Sequence, residues 1–129
     1  MKKLLVLLLL VPVLAFAQAK DNGAITVLNP APAREIQQTL LSLANIVVPN
    51  ETESAAIGGT QQLLNLGVAT VVTTLGADGA SIETSSSTTH IAPHKVTPID
   101  TVGAGDAFIG ATCAELSRGA SIEDAARMG

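Results

Sequence analysis

The chain has no tryptophan and no tyrosine, two phenylalanines, one cysteine, and seven basic residues against eleven acidic ones in a length of 129. Aromatics at 2% of a sequence that is 47% hydrophobic leave Leu, Val, Ile and Ala to build the interior. That mixture suits buried parallel strands covered by Ala-rich helices. One cysteine, Cys113, cannot close an internal disulfide, and no metal set or Cys-His pair surrounds it, so it reads as a small apolar packing residue. With a formal charge of -4 and no basic cluster beyond Lys2 and Lys3, the electrostatic footprint of a nucleic-acid binder is missing, and no such partner is expected. The length permits one modest core and sits at the lower edge for an α/β nucleotide-binding fold, which means a small domain or a piece of a larger one.

The first nineteen residues, "MKKLLVLLLLVPVLAFAQA", pair two lysines with an apolar run over residues 4–17 and small residues at Ala15, Ala17 and Ala19. A secretory signal peptide is organised in this way. The run is short for a bilayer span, which needs about 20 apolar residues, so no stable membrane span is expected. The other reading is a buried strand, then Pro12, then a helix start. Both readings stay open on residue types alone.

Downstream, strand and helix patterns alternate. "AITVLN" (24–29) is an apolar strand closed by the two prolines of "NPAPA". "REIQQTLLSLA" carries Ile36, Leu40, Leu41 and Leu43 at helical spacing. "NIVVPN" is a short buried strand, "ETESAAIGG" a short helix stopped by Gly58 and Gly59, and "TQQLLNLG" a further helical turn or two. "VATVVTTLG" (68–76) is the clearest strand, and the Ser/Thr-rich "GASIETSSSTTHIAPHKVTPI" alternates like an antiparallel excursion. A helix is expected from Gly105 to about Arg118 with Gly119 as its stop, and another from Ser121, with Asp124 placed as a capping-box acid. Strands alternating with helices imply a parallel sheet whose ligand lies at the strands' C-terminal ends.

"DTVGAGDAF" (100–108) sets three small residues directly before a helical pattern and a carboxylate at the junction. Glycines there let the backbone approach a ligand closely, and the free N–H groups of a helix's first turn attract an anion. A carboxylate would repel that anion unless it is there to take a proton from the attacking group. Cradle plus base means transfer of a phosphoryl group to an alcohol. Asp106 could equally cap the helix, and spacing alone leaves the two readings level. Asn50 with Glu53 three residues on is also a capping-box pattern, and Asp78-Gly79 reads as an ordinary turn between strands. His90 and His94 stand four apart, but Pro93 argues against the helix a metal pair would need.

"DTVGAGDAFIGA" closely resembles the second signature of the ribokinase-like (PfkB) carbohydrate kinases, and "VLNPAPA", "VVPNETES" and "VVTTLGADGA" resemble three further ribokinase stretches in the right order. The resemblance runs over about residues 17–129. It implies a three-layer α/β fold, a mostly parallel sheet flanked by helices, with residues 20–129 forming the C-terminal part of a kinase domain. It implies an ATP-dependent transfer of the γ-phosphoryl group to a sugar hydroxyl, that of ribose or a related pentose. Asp106 then corresponds to the catalytic base, and the amides of Gly103, Ala104 and Gly105 to the anion hole. Asn50 and Glu53 correspond to residues organising Mg²⁺ and its waters, Thr74, Gly76 and Gly79 to nucleotide-loop positions, and Asp100 to a monovalent-cation (K⁺) site.

The family's Gly-Gly sugar motif and lid strands have no counterpart in these residues, so an incomplete domain with little activity of its own is expected. Between "NETES" and "LLNLGV" the family's longer helical stretch is contracted to residues 58–62. The resemblance favours the strand-and-helix reading of residues 1–19 and a cytoplasmic location over export, since ATP chemistry is intracellular. A homodimer is open for a full-length kinase. The competing class is a non-catalytic nucleotide-binding remnant or an exported small protein.

Overall fold

Ile46, Val47 and Val48 are consecutive and all buried, which an extended chain achieves only when both of its faces are covered. In the computed structural model, which describes residues 2–32, 35–97 and 100–129, these residues form and extend β2 (Ile46–Val47). The other strands are β1 (Val27–Leu28), β3 (Thr70–Thr74), β4 (Ala80–Glu83) and β5 (Thr88–Ile91). They make one five-stranded sheet in the order β1-β2-β3-β4-β5. The first three strands are parallel, Val27 and Leu28 opposite Ile46 and Val47, which in turn face Thr70 and Val71. The last two run antiparallel, Thr74 opposite Ala80 and Ala80 opposite Ile91. The expected Ser/Thr-rich excursion is this β4–β5 hairpin.

The period-2 alternation sorts the side chains into two cores. Val47 and Val71 face Leu41, Ile57 and Leu63 on the side of α2 (Gln38–Leu43), α3 (Glu51–Ala56) and α4 (Thr60–Asn65). Ile46, Val48 and Val72 face Ala126, Phe108 and Ile109 on the side of α5 (Ala104–Ser117) and α6 (Ile122–Met128). The layers are therefore helix, sheet, helix, as expected. Aliphatic side chains fill both interiors, with the two phenylalanines, Phe16 and Phe108, at their margins.

Helix ends follow local chemistry. Asn50 caps α3 by accepting from the Glu53 N–H at 2.8 Å, and Glu53 returns a bond to the Asn50 N–H at 2.9 Å. Gly58 and Gly59, at φ 95° and 83°, break the helical stretch into α3 and α4. Ser121 caps α6 through the Asp124 N–H. Ala33 and Arg34, where "NPAPA" meets the expected helix start, and Pro98 and Ile99, the end of the expected excursion, lie outside the described residues.

The N-terminal segment differs from the strand-and-helix expectation. Residues Lys2–Asp21 form one helix, α1, with Pro12 inside it, and no strand precedes the proline among the described residues. Leucine is among the better helix formers, and β1 remains the edge strand of the sheet. Among the described residues, no helix is long and apolar enough to cross a membrane. Phe16 of α1 packs against the Leu41–Val47–Leu63 core. Removing residues 1–19 should therefore cost roughly 1–2 kcal/mol, part of what full burial of a phenylalanine contributes, and increase aggregation. A thermal melt with light scattering checks this. Unchanged stability would show that α1 is not part of the fold.

Candidate active site

The parallel strands end at one edge of the sheet, and three polar residues stand there. Asn29 follows β1, Asn50 follows β2 and forms an isolated parallel bridge to Thr74, and Thr74 closes β3. Open α/β sheets bind ligands at this edge. Asn29 donates from Nδ2 to the Val48 carbonyl at 2.8 Å, which ties its carboxamide to the neighbouring strand.

From the other side of the sheet comes the start of α5. Gly103 is its N-cap, at φ 77° in the left-handed region, and no side chain caps the helix. The left-handed turn lets the chain reverse from the loop into the helix, which a side chain would disfavour. Asp106 is thus the third residue of the helix, and the capping alternative for it does not hold. The Ala104 N–H bonds the Thr101 carbonyl at 3.2 Å, and the helical ladder begins with the Ala107 N–H on the Gly103 carbonyl at 2.9 Å. Among the described residues, the Gly103, Gly105 and Asp106 N–H groups have no backbone acceptor. Of the expected trio of Gly103, Ala104 and Gly105, the first and last keep unbonded N–H groups, while that of Ala104 closes a turn and that of Asp106 is unbonded as well. A Cβ built on Gly103 or Gly105 would meet nothing within 4 Å, so the cradle opens onto free space.

Two cavities meet at this point. A small one of about 80 Å³ is lined by Asn29, Asn50, Glu53, Thr74, Gly105 and Asp106, among others. A larger groove of about 750 Å³ runs past Thr74, Gly76, Gly79, Asp100 and Gly105, within the range of small-molecule sites. Thr74 and Gly105 belong to both. The fold thus brings together nearly all the residues singled out in the sequence, with Asp106 and Glu53 on the small cavity and Gly76, Gly79 and Asp100 along the groove. Asn29 was not singled out as a site residue; its only signal was its place before "PAPA" at a strand's end.

At the turn after β3 and at Glu53 the local alternative is realised beside the site placement. Gly76–Asp78 is a 3₁₀ turn between β3 and β4, with the Leu75 N–H on the Gly79 carbonyl at 2.8 Å. The same turn lines the groove. Glu53 is a capping-box acid and is also buried at 7% exposure, with no ion pair to it among the described residues. One of its oxygens is held by the Asn50 N–H, and the other, without a hydrogen-bond partner among the described residues, is not fully buried and belongs to the lining of the small cavity. Mg²⁺ takes few protein carboxylates and keeps several waters, so a single carboxylate and a neighbouring carboxamide on this cavity fit a hydrated Mg²⁺. Among the described residues no cluster of three or more His, Cys, Asp or Glu could hold a metal by itself. Asp100 is exposed and accepts from the Val102 N–H at 2.8 Å, shaping the loop ahead of the cradle.

The pfkB family carbohydrate kinase profile matches residues 11–129. A ribokinase of Staphylococcus aureus is 42% identical over 116 residues, covering 81% of this chain and 38% of that protein. The crystal structure of Thermotoga maritima ribokinase superposes with a TM-score of 0.77 at 31% identity, covering 87% of this chain and 42% of its own. An Escherichia coli protein described as a ribokinase II, in complex with ATP and Mg²⁺, gives a TM-score of 0.72 at 26% identity and covers 86% of this chain and 41% of its own. The chain spans less than half the length of each of these relatives.

Proposed function

The chain belongs to the pfkB family of carbohydrate kinases, and from that premise we propose that it carries the nucleotide-binding and phosphoryl-transfer part of a ribokinase-like sugar kinase. The observation that supports this most is the junction at Thr74 and Gly105, where the long groove opens beside the cavity holding Asp106 and Glu53. A nucleotide laid along the groove, over Gly76 and Gly79, would end its phosphates at the first turn of α5. ATP with Mg²⁺ supplies the activated phosphoryl group and offsets its charge. The Gly103, Gly105 and Asp106 N–H groups hold phosphoryl oxygens, aided by the helix dipole. Asp106 accepts the proton of the attacking sugar hydroxyl, Glu53 and Asn50 hold metal-bound water, and Asp100 contributes to a monovalent-cation site. Ribose or a related pentose is the proposed acceptor, and the cytoplasm the proposed location.

No sugar-binding motif of the family lies in these residues, so an oriented acceptor is missing, and orientation is worth a large share of the barrier. The 129-residue chain should therefore bind a non-hydrolysable ATP analogue in a Mg²⁺-dependent manner and phosphorylate ribose at far below about 1 s⁻¹, the lower end for kinases. Calorimetry and a coupled assay with Mg²⁺ and K⁺ check the two halves. Absence of nucleotide binding would overturn the assignment of the groove, and turnover in the range of complete kinases would overturn the view of the chain as a partial catalyst.

A further inference from the structure

The two histidines that the sequence left without a role each bond a backbone carbonyl beside the groove. His90, on β5, bonds the Asp78 carbonyl with its Nε2 at 2.8 Å, and His94 bonds the Arg127 carbonyl in α6 with its Nε2 at 2.8 Å. A carbonyl can only accept, so both imidazoles carry their proton on Nε2. The two bonds differ in what else supports the same wall. The turn under His90 has backbone bonds of its own, from the Leu75, Asp78 and Gly79 N–H groups. The segment 92–97 is exposed throughout, lines the groove through Pro93, His94, Lys95 and Val96, and among the described residues makes no hydrogen bond except that of His94. Its anchor is firm, because Ala125 and Ala126 of α6 are buried and Ala126 belongs to the sheet core.

We infer that His94 is a positioning residue: a latch that holds segment 92–97 against α6 and sets the width of the groove, and so the affinity for the ligand seated there. The part concerning the ligand rests on the reading of the groove as a nucleotide seat; the latch itself does not. A single hydrogen bond contributes about 0.5–1.5 kcal/mol net, which corresponds to a change of about three- to tenfold in an opening equilibrium.

Lys95 lies in the latched segment and supplies the readout. In limited trypsinolysis of the 129-residue chain the cut after Lys95 speeds up as the segment opens, and mass spectrometry follows the fragment starting at Val96, with the cut after Arg118 as the reference in the same digest. His94→Leu should raise the rate after Lys95 by about three- to tenfold relative to Arg118. His94→Gln keeps an N–H donor and should restore it to within about twofold, and His90→Leu should change it by less than about twofold because its turn is held by backbone bonds. Equal rates for wild type and His94→Leu, or His94→Gln behaving as His94→Leu, would overturn the latch, as would a parallel rise at Arg118. A saturating ATP analogue with Mg²⁺ should slow the cut in the wild type and bind His94→Leu about three- to tenfold more weakly. If the analogue has no effect while His94→Leu still opens the segment, the latch stands and the nucleotide assignment fails.

Discussion

Asp106→Asn, introduced into a kinase completed by an N-terminal half from a relative, should lower kcat by 10²- to 10⁴-fold, or roughly 3 to 5 kcal/mol of barrier, with nucleotide affinity nearly unchanged. Asn keeps the shape of the side chain but cannot accept the alcohol's proton at neutral pH. Because Asp106 is the third residue of α5 and not its cap, the structural cost is confined to a carboxylate's interaction with the helix dipole, typically 0.3–1 kcal/mol. Catalytic and structural roles are therefore separated by orders of magnitude in rate. The measurement is kcat at saturating ATP and sugar, with a pre-steady-state burst to exclude limitation by product release. Near-normal turnover would remove Asp106 from the role of base. Gly105→Val is the companion: a Cβ at Gly105 meets no atom within 4 Å, so the fold accepts it, but the branched side chain fills the space between the two cavities and should depress transfer whatever Asp106 does.

The largest expected effect on stability is at Gly79. Its φ is +89°, and a Cβ there would lie 2.0 Å from the Ile91 carbonyl oxygen and 2.9 Å from the Pro93 nitrogen, both backbone atoms. A side chain would have to push β5 and the following segment away from the turn. Backbone strain of about 1–3 kcal/mol adds to the clash, so Gly79→Ala should cost roughly 3 kcal/mol or more and lower the Tm by on the order of 10 °C. Gly76→Ala is the matched control. It is also at positive φ, +59°, but meets nothing within 4 Å, so only the left-handed strain of about 1–2 kcal/mol applies. Thermal melts of the two variants test the contrast, and equal losses would show that the approach of β5 to the turn is not tight. Gly79 lines the groove as well, and its conformation serves both the hairpin and the ligand.

Much of the local structure could be read from neighbouring residues, because it is made by them. Asn50 and Glu53, three apart, are the capping box the spacing announced, whereas at α6 Ser121 caps the helix but the Asp124 carboxylate bonds Arg127 and does not complete a box. Gly58, Gly59 and Gly119 end or divide helices because their positive φ excludes other residues at low cost. The apolar runs named the strands, and the Ser/Thr-rich stretch named the hairpin. Local rules failed at residues 2–11, where an apolar run suits a strand or a helix and only the presence of a sheet partner would choose between them.

The site was only partly legible. Type and spacing marked Asp106, but the choice between cap and base depended on where α5 begins, and that is set by the left-handed turn at Gly103 and the bond from Ala104 to Thr101. Asn29 had no distinguishing spacing; it joins Asp106 because β1 lies beside β2 in the sheet and the start of α5 reaches the same edge. The histidine spacing matched a metal pair that Pro93 argued against, and the fold sends the two rings to different backbone carbonyls, those of Asp78 and Arg127. The amino-acid sequence by itself determined the helix caps, the breaks, the aliphatic interior and the cradle of small residues, all of which arise from contacts within a few positions along the chain. Tertiary structure decided which face each strand residue turns to, which amides stay free, and that Thr74 and Gly105 form a shared wall, since these depend on parallel strand pairing and helix packing between residues many positions apart.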